Sequence, residues 1–259
     1  MHLSAQTTTV LKLGTAQTLA WASTYYLPAI LAAPMARDLG VSVATVFAAF
    51  SLGLVITGIL GPRAGRAIDT LGGRPVLALS NLLFAAGLVL LGLSSGQWSL
   101  FAAWVVIGIG MAGGLYEAAF ATLVRIYGQK SRNVITGITL LAGFASTVGW
   151  PLSTALEAWV GWRGTCFAWA GLHVLIALPL NLSLPKLATD AATEMTKSND
   201  SKIQTPTAVP LKSAVLLALV FAITWFISTA MAAHLPMLLT ASGVGLGETA
   251  CEPFAVVGV

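Results

Sequence analysis

Over its 259 residues the chain is 57% hydrophobic and only 8% charged, with a formal charge of +4 and a mean hydropathy of +0.87. Soluble domains carry roughly 25% charged residues, so a soluble globular reading is excluded at the outset. The positive balance does not point to nucleic acid, because no basic cluster with interleaved aromatics occurs.

The chain divides into apolar runs of about 20 residues, enough to cross a hydrocarbon core of roughly 30 Å as helix. The runs are continuous rather than alternating, so a polytopic helix bundle, not a barrel, satisfies the backbone in lipid. The fold class expected is an all-α integral membrane protein. No basic segment, short apolar core and cleavage site open the chain, so the first run is expected to remain as a true span.

In chain order, residues 1–12 read as a cytoplasmic N-terminus and the spans fall near 13–33, 41–60, 76–94, 98–121, 134–156, 165–184 and 213–239. The first carries Ser23-Thr24-Tyr25-Tyr26-Leu27-Pro28 near its middle. Between the second and third lies Gly65-Arg66-Ala67-Ile68-Asp69-Thr70-Leu71-Gly72-Gly73-Arg74, a charged, glycine-rich loop. Arginines alone would orient the neighbouring helices, and a purely topogenic loop has no need of Asp69. A carboxylate there can hold helix ends through charge-assisted hydrogen bonds, with glycines permitting close backbone approach.

The fourth span carries Glu117, the one carboxylate well inside a predicted span, preceded by Gly108, Gly110, Gly113 and Gly114. An embedded carboxylate is costly and marks a functional site by default, here a candidate for proton coupling. The competing reading has Glu117 snorkelling to the interface or paired with a loop arginine. In the sixth span Cys166 reads as a packing residue, and His173 as one that packs or hydrogen-bonds. Residues 185–212 are polar and low in aromatics, a composition expected of a cytoplasmic linker. The seventh span, with Thr224, Trp225, Ser228 and Thr229, is followed by an irregular tail, 240–259, read as a truncation.

Basic residues test the orientation. Eleven of the thirteen fall on one side of this arrangement, and only Arg37 and Arg163 on the other. The positive-inside rule then places the N-terminus in the cytoplasm.

Three features together resemble the major facilitator superfamily of secondary transporters. Gly65, Asp69, Gly72, Arg74 and Leu77 match the family's loop motif between the second and third helices, while Thr70 and Gly73 stand where it usually has basic residues. Gly161-Trp162-Arg163 followed by Phe167 is similar to the phrase that opens the family's sixth helix. Six helices, a polar linker and a seventh helix match the first half of a twelve-helix transporter, so residues 13–184 would form the N-terminal domain of a truncated fold. The fourth span lacks the arginine of the proton-antiporter signature, and Trp150 interrupts the Gly-Pro pair of the drug-antiporter signature.

The resemblance implies that the first, fourth and seventh helices line a central cavity, with Thr24, Tyr25, Tyr26, Thr224, Trp225 and Ser228 as candidate substrate contacts. The same residues serve equally as aromatic packing or helix–helix hydrogen bonds. It also implies that the Gly65–Arg74 loop latches the two halves of a transporter in one state. The expected function is secondary active transport of a small solute by alternating access, with proton coupling through Glu117. The alternative is a truncated or half-length membrane protein that transports nothing by itself and acts only when assembled with a partner. No phosphate-binding loop, His-Glu-x-x-His or Gly-x-Ser-x-Gly occurs, so neither an enzyme, a cofactor nor a metal site is expected. The partners expected are a small-molecule substrate, the bilayer, and another copy or a second half-transporter. The location expected is the bacterial inner membrane, multi-pass.

Overall fold

The computed structural model describes residues 5–185 and 211–241, and they form helices joined by short turns. Much of the expected linker and most of the tail lie outside these residues. The first span is split. Helix α1 (Ala5–Ser23) ends before a turn, and α2 (Leu27–Leu39) resumes. Pro28 causes the break locally, because it lacks the N–H that would bond the Thr24 carbonyl. The Tyr26 N–H reaches back to Trp21 O instead, at 3.1 Å.

Gly40, at φ +64°, ends α2, and Ser42 starts α3 (Val43–Leu71) by accepting the Thr45 N–H at 3.0 Å. Helix α4 (Gly73–Gly92) follows after the single residue Gly72. The fourth span is again split, into α5 (Gln97–Gly114) and α6 (Tyr116–Tyr127), by the extended residue Leu115. After the 3-10 turn Gly128–Lys130, the fifth span runs through α7 (Ser131–Gly143) and the first part of α8 (Ala145–Leu172). Gly161, at φ +70° and ψ 173°, breaks α8, and the sixth span begins at Trp162. That span continues through a wide π turn, His173–Ala177, into α9 (Leu178–Leu182). Pro179 supplies no N–H to Leu175 O, which fits a loosened turn at this place. The seventh span is α10 (Leu211–Ala241).

Helix α5 packs between α3 and α4. At its crossing with α3, a Cβ on Gly108 would stand 2.5 Å from Gly53 O, so only glycine permits this approach. Thr57 Oγ1 donates across the same seam to Gly108 O at 3.0 Å. Apolar residues fill two buried clusters, one around Trp21, Phe84, Trp104 and Trp169, the other around Leu13, Ile68, Leu77 and Leu123. Outward, large apolar side chains lie bare, with Ile59 at 62%, Leu140 at 66% and Leu175 at 76% exposure. Water would not tolerate such a surface, and lipid does. Val43–Leu71, Gly73–Gly92 and the run Gln97–Leu182 are apolar enough to span a bilayer. The last of these is 86 residues long, and its breaks at Leu115, Gly128–Lys130, Phe144 and Gly161 divide it into three crossings. The protein is a multi-pass membrane protein.

One expectation is corrected here. Gly65 to Leu71 are not loop but the last turns of α3, which runs eleven residues beyond the expected span end at 60. Pro62 does not stop it, and the chain turns only at Gly72, whose φ of +87° is open to glycine alone among common residues.

Candidate functional site

Depth can be counted along two helices. The Tyr127 hydroxyl donates to Thr9 Oγ1 at 2.8 Å, which places the start of α1 level with the end of α6. Trp21 lies twelve residues on from Thr9, and Tyr116 eleven residues back from Tyr127, each roughly 17 Å along its helix at 1.5 Å per residue. Their rings meet, with centroids 4.8 Å apart. Half of a hydrocarbon core is about 15 Å, so the contact lies near mid-membrane, where spans one and four are both broken.

An aromatic assembly is built around Trp21. Its ring contacts Tyr25 at 5.1 Å, Tyr26 at 6.4 Å and, in a stacked pair, Trp225 of α10 at 6.2 Å. Tyr26 in turn meets Trp150 of α8 edge-on at 6.0 Å. The Tyr25 hydroxyl lies 2.5 Å from Thr229 Oγ1. Spans one, four, five and seven therefore share one cluster of rings. At the break in span four, the Gln17 side-chain amide donates to Gly114 O at 2.7 Å, satisfying a carbonyl that Leu115 leaves outside the helical ladder. Three buried groups here have no hydrogen-bond partner among the described residues, Gln17 Oε1, Trp21 Nε1 and Trp150 Nε1.

The candidate cavity residues separate on inspection. Tyr25 and Trp225 join the cluster through the contacts above, and Tyr26 does so while half-buried. Thr24 is fully buried and its hydroxyl donates to Ala20 O at 2.6 Å, so it presents nothing to a cavity. Thr224 is exposed and its hydroxyl turns back to Val220 O at 2.9 Å; Ser228 is exposed as well. Thr229, not singled out as a contact, makes the bond between spans one and seven.

Glu117 lies in the first turn of α6, just after the break, and its side chain is exposed. A carboxylate at this position favours the helix dipole. Ala118, Ala119, Thr122 and Leu123 form the buried face of α6, and Glu117 stands on the opposite side of the helix.

Of the charged motif, Asp69 is exposed and Arg74 half-buried. The connection between helix ends is made by Arg125, which donates to Ile68 O at 2.5 Å and also to Asp69 O. The guanidinium thus caps the C-terminus of α3, where the partial negative charge of the helix gathers. It is the Asp69 backbone, rather than its carboxylate, that this arginine holds. Gly72 provides the turn, and Gly73 lies so close to α6 that an added Cβ would stand 1.7 Å from Thr122 Oγ1. Gly73, which departs from the motif, is required by this contact.

Two polar clusters have partners that the sequence did not name. His173, fully buried, lies 2.7 Å from Ser23 Oγ through Nε2 and 2.9 Å from Asn81 Oδ1 through Nδ1. Asn81 donates its own amide to Leu77 O at 2.8 Å, so its oxygen accepts and His173 Nδ1 carries the hydrogen. Nε2 then accepts from Ser23, one residue before the break in span one. At the other end of the bundle Arg163 pairs with Asp38 at 2.9 Å and donates to Gly92 O and Ser94 O, each at 2.7 Å. The Trp162 indole donates to the same Asp38 Oδ2 at 3.1 Å. The only sequence signal for either was a polar residue in an apolar run, and both needed partners 69 residues or more away. Among the described residues, no three His, Cys, Asp or Glu side chains gather as a metal site.

One comparison with known proteins shows the family. The profile of the Major Facilitator Superfamily matches residues 13–259. A sequence relative, an uncharacterized 38 kDa protein in the 23S RNA operon of Thermoproteus tenax, is 31% identical over 156 residues, covering 59% of this chain and 40% of that protein. Among solved structures, tetrameric PepTSo2 is similar at a TM-score of 0.56 and 16% identity, over 93% of this chain and 52% of that one. A bacterial homologue of the human drug peptide transporters is similar at 0.57 and 17%, over 96% and 56%. At such identities the likeness is one of fold. The chain spans about half the length of the proteins it matches.

Proposed function

The chain belongs to the Major Facilitator Superfamily, and from that premise we propose that it serves in secondary active transport of a small solute by alternating access. One observation carries the reading. Spans one and four are each interrupted, the former at Thr24–Tyr26 and the latter at Leu115, and in this reading they hold corresponding positions in two inverted three-helix repeats. Paired interrupted helices in corresponding positions are the usual pointer to a transporter's binding site. Here the two interruptions meet at the Trp21–Tyr116 contact.

In this proposal Trp21, Tyr25, Tyr26, Tyr116 and Trp225 border the solute site, and Glu117 exchanges a proton during the cycle. The end of the bundle bearing Lys12, Arg66, Asp69 and Arg125 faces the cytoplasm of a bacterial inner membrane, with the N-terminus on that side. Asp69, exposed at the end of α3, remains free to meet a further element in one state of the cycle. Similar folds include peptide transporters, and a short peptide is one solute to include in a screen.

The test is solute-driven proton movement in vesicles containing the full chain, screened across solute classes. Glu117→Gln is expected to abolish proton movement with unchanged abundance, and Asp69→Asn to slow it. Normal proton coupling in the Glu117 variant would remove the role given to that residue. The second reading is a chain active only when assembled with a partner. It is favoured by the sparse packing of α10, whose described side chains from Val215 to Ser228 are exposed all round the helix, Leu216 at 63% and Phe226 at 73%. Transport that appears only above a threshold of chains per vesicle would select it.

A further inference from the structure

At the end of the bundle opposite Arg125, a cavity of about 510 Å³ opens between the end of α2 and the start of span six. That volume falls within the range of small-molecule sites, roughly 300–1,000 Å³. Pro34, Arg37, Asp38, Val160, Trp162 and Arg163 are among its lining residues. Arg163 is committed. Its Nε and Nη2 meet Asp38 Oδ2, its Nη1 donates to Gly92 O and Ser94 O, and its guanidinium lies 4.4 Å from the Trp162 ring centroid. The Trp162 indole adds a third donor to the same Oδ2.

Two groups in the cavity are not so engaged. Asp38 Oδ1 has no partner among the described residues, since all three donors converge on Oδ2. Arg37, exposed in the last turn of α2, makes no ion pair or hydrogen bond among them either. Two arginines against one aspartate leave the cavity one net positive charge.

Depth identifies the medium that the cavity meets. Arg37 lies sixteen residues on from Trp21, at most roughly 24 Å along helix. Half a bilayer with its headgroups measures about 20–22 Å. Trp98 and Trp159, at 84% and 85% exposure, stand at this same end, as indoles do at a lipid–water boundary. Val160, next to Trp159 and on the cavity wall, is 56% exposed.

From these contacts we propose that the cavity binds the headgroup of an anionic glycerophospholipid, phosphatidylglycerol. The Arg37 guanidinium holds its phosphate, and a glycerol hydroxyl donates to Asp38 Oδ1. One negative charge on the lipid balances the one positive charge of the cavity, which a zwitterionic ethanolamine headgroup does not. A soluble phosphate ester carries the same chemistry, but only the lipid brings acyl chains for the bare apolar surface around it. The bound lipid ties the end of span one to the start of span six, whether or not the chain transports a solute.

The experiment is native mass spectrometry of the full chain in detergent, titrated with phosphatidylglycerol or with phosphatidylethanolamine of the same acyl chains. The first phosphatidylglycerol is expected to bind about fivefold more tightly than the first phosphatidylethanolamine. Arg37→Gln should weaken it about tenfold, and Arg37→Lys should keep much of it, which separates charge from folding. Arg132→Gln, exposed at the Arg125 end, should bind like the parent, which separates the cavity from general attraction to basic residues. Glycerophosphoglycerol, the same headgroup without acyl chains, should not displace the lipid. Equal affinity for the two lipids, undiminished binding to Arg37→Gln, an equal loss in Arg132→Gln, or displacement by the free headgroup overturns the proposal.

Discussion

Ser23 Oγ and His173 Nε2 stand 2.7 Å apart in the fully buried centre of the bundle, joining the break in span one to the π turn of span six. Asn81 on span three completes the network. His173→Leu keeps the volume but leaves the Asn81 oxygen and the Ser23 hydroxyl unpaired. Each unpaired buried group costs about 1–3 kcal/mol, while a hydrogen bond between membrane helices is worth about 0.6 kcal/mol on average. A fall of several degrees in the thermal unfolding midpoint in detergent is expected, with a smaller fall for Ser23→Ala. An unchanged midpoint would show that the network contributes nothing to stability.

Gly73 is determined by its neighbour. Gly73→Ala drives a Cβ against the buried Thr122, which lies 2.5 Å from that position through its own Cβ. The variant should accumulate poorly. Adding Thr122→Gly opens the space, at a helix cost of about 1 kcal/mol, and should restore part of the abundance. If the double variant is no better than Gly73→Ala, the contact is not the cause.

Arg125 holds the end of α3 by its two backbone acceptors. Arg125→Ala should speed hydrogen exchange at the amides of residues 69–72, starting with the Gly72 N–H that bonds Ile68 O at 2.9 Å. Arg125→Lys should recover only part of the protection, because an ammonium lacks the planar fork that spans two carbonyls. Exchange unaltered by Arg125→Ala would dismiss the cap.

Arg163 does two jobs at the opposite end. Its ion pair with Asp38 is half exposed, with side chains at 39% and 49%, and such pairs contribute only about 0–1 kcal/mol. The bonds to Gly92 O and Ser94 O tie the end of α4 to the start of span six. Asp38→Asn should therefore cost little in thermal stability and Arg163→Ala clearly more. The charge swap Asp38→Arg with Arg163→Asp should not rescue, since it restores the pair but not the carbonyl bonds. Full rescue by the swap would assign the effect to the ion pair.

The membrane class was legible because hydropathy acts locally and additively, and lipid leaves the backbone few choices. Gly65, Asp69, Gly72 and Arg74 were legible as a motif, yet their conformation was misjudged. Charged residues after residue 60 suggested a loop, whereas α3 carries them as helix through Leu71. A helix can leave the bilayer without ending, and composition alone does not mark that difference. Tyr25 and Tyr26 drew notice as aromatics beside Pro28, but the role of Pro28 in breaking the span had to be seen in the backbone. Thr24 looked equivalent to them and is not, because its hydroxyl closes on Ala20 within the same turn.

By itself, then, the sequence determined that the chain is a helical membrane protein and where its apolar runs lie. Those properties reside in single residues and their near neighbours. Only the tertiary structure decided that Arg125 closes on α3, that Gly73 must yield to Thr122, that His173 bridges three spans, and that Trp21 gathers rings from four. Such pairings depend on how helices cross, and in lipid, where apolar faces are nearly interchangeable, shape and a few buried polar partners choose the crossing.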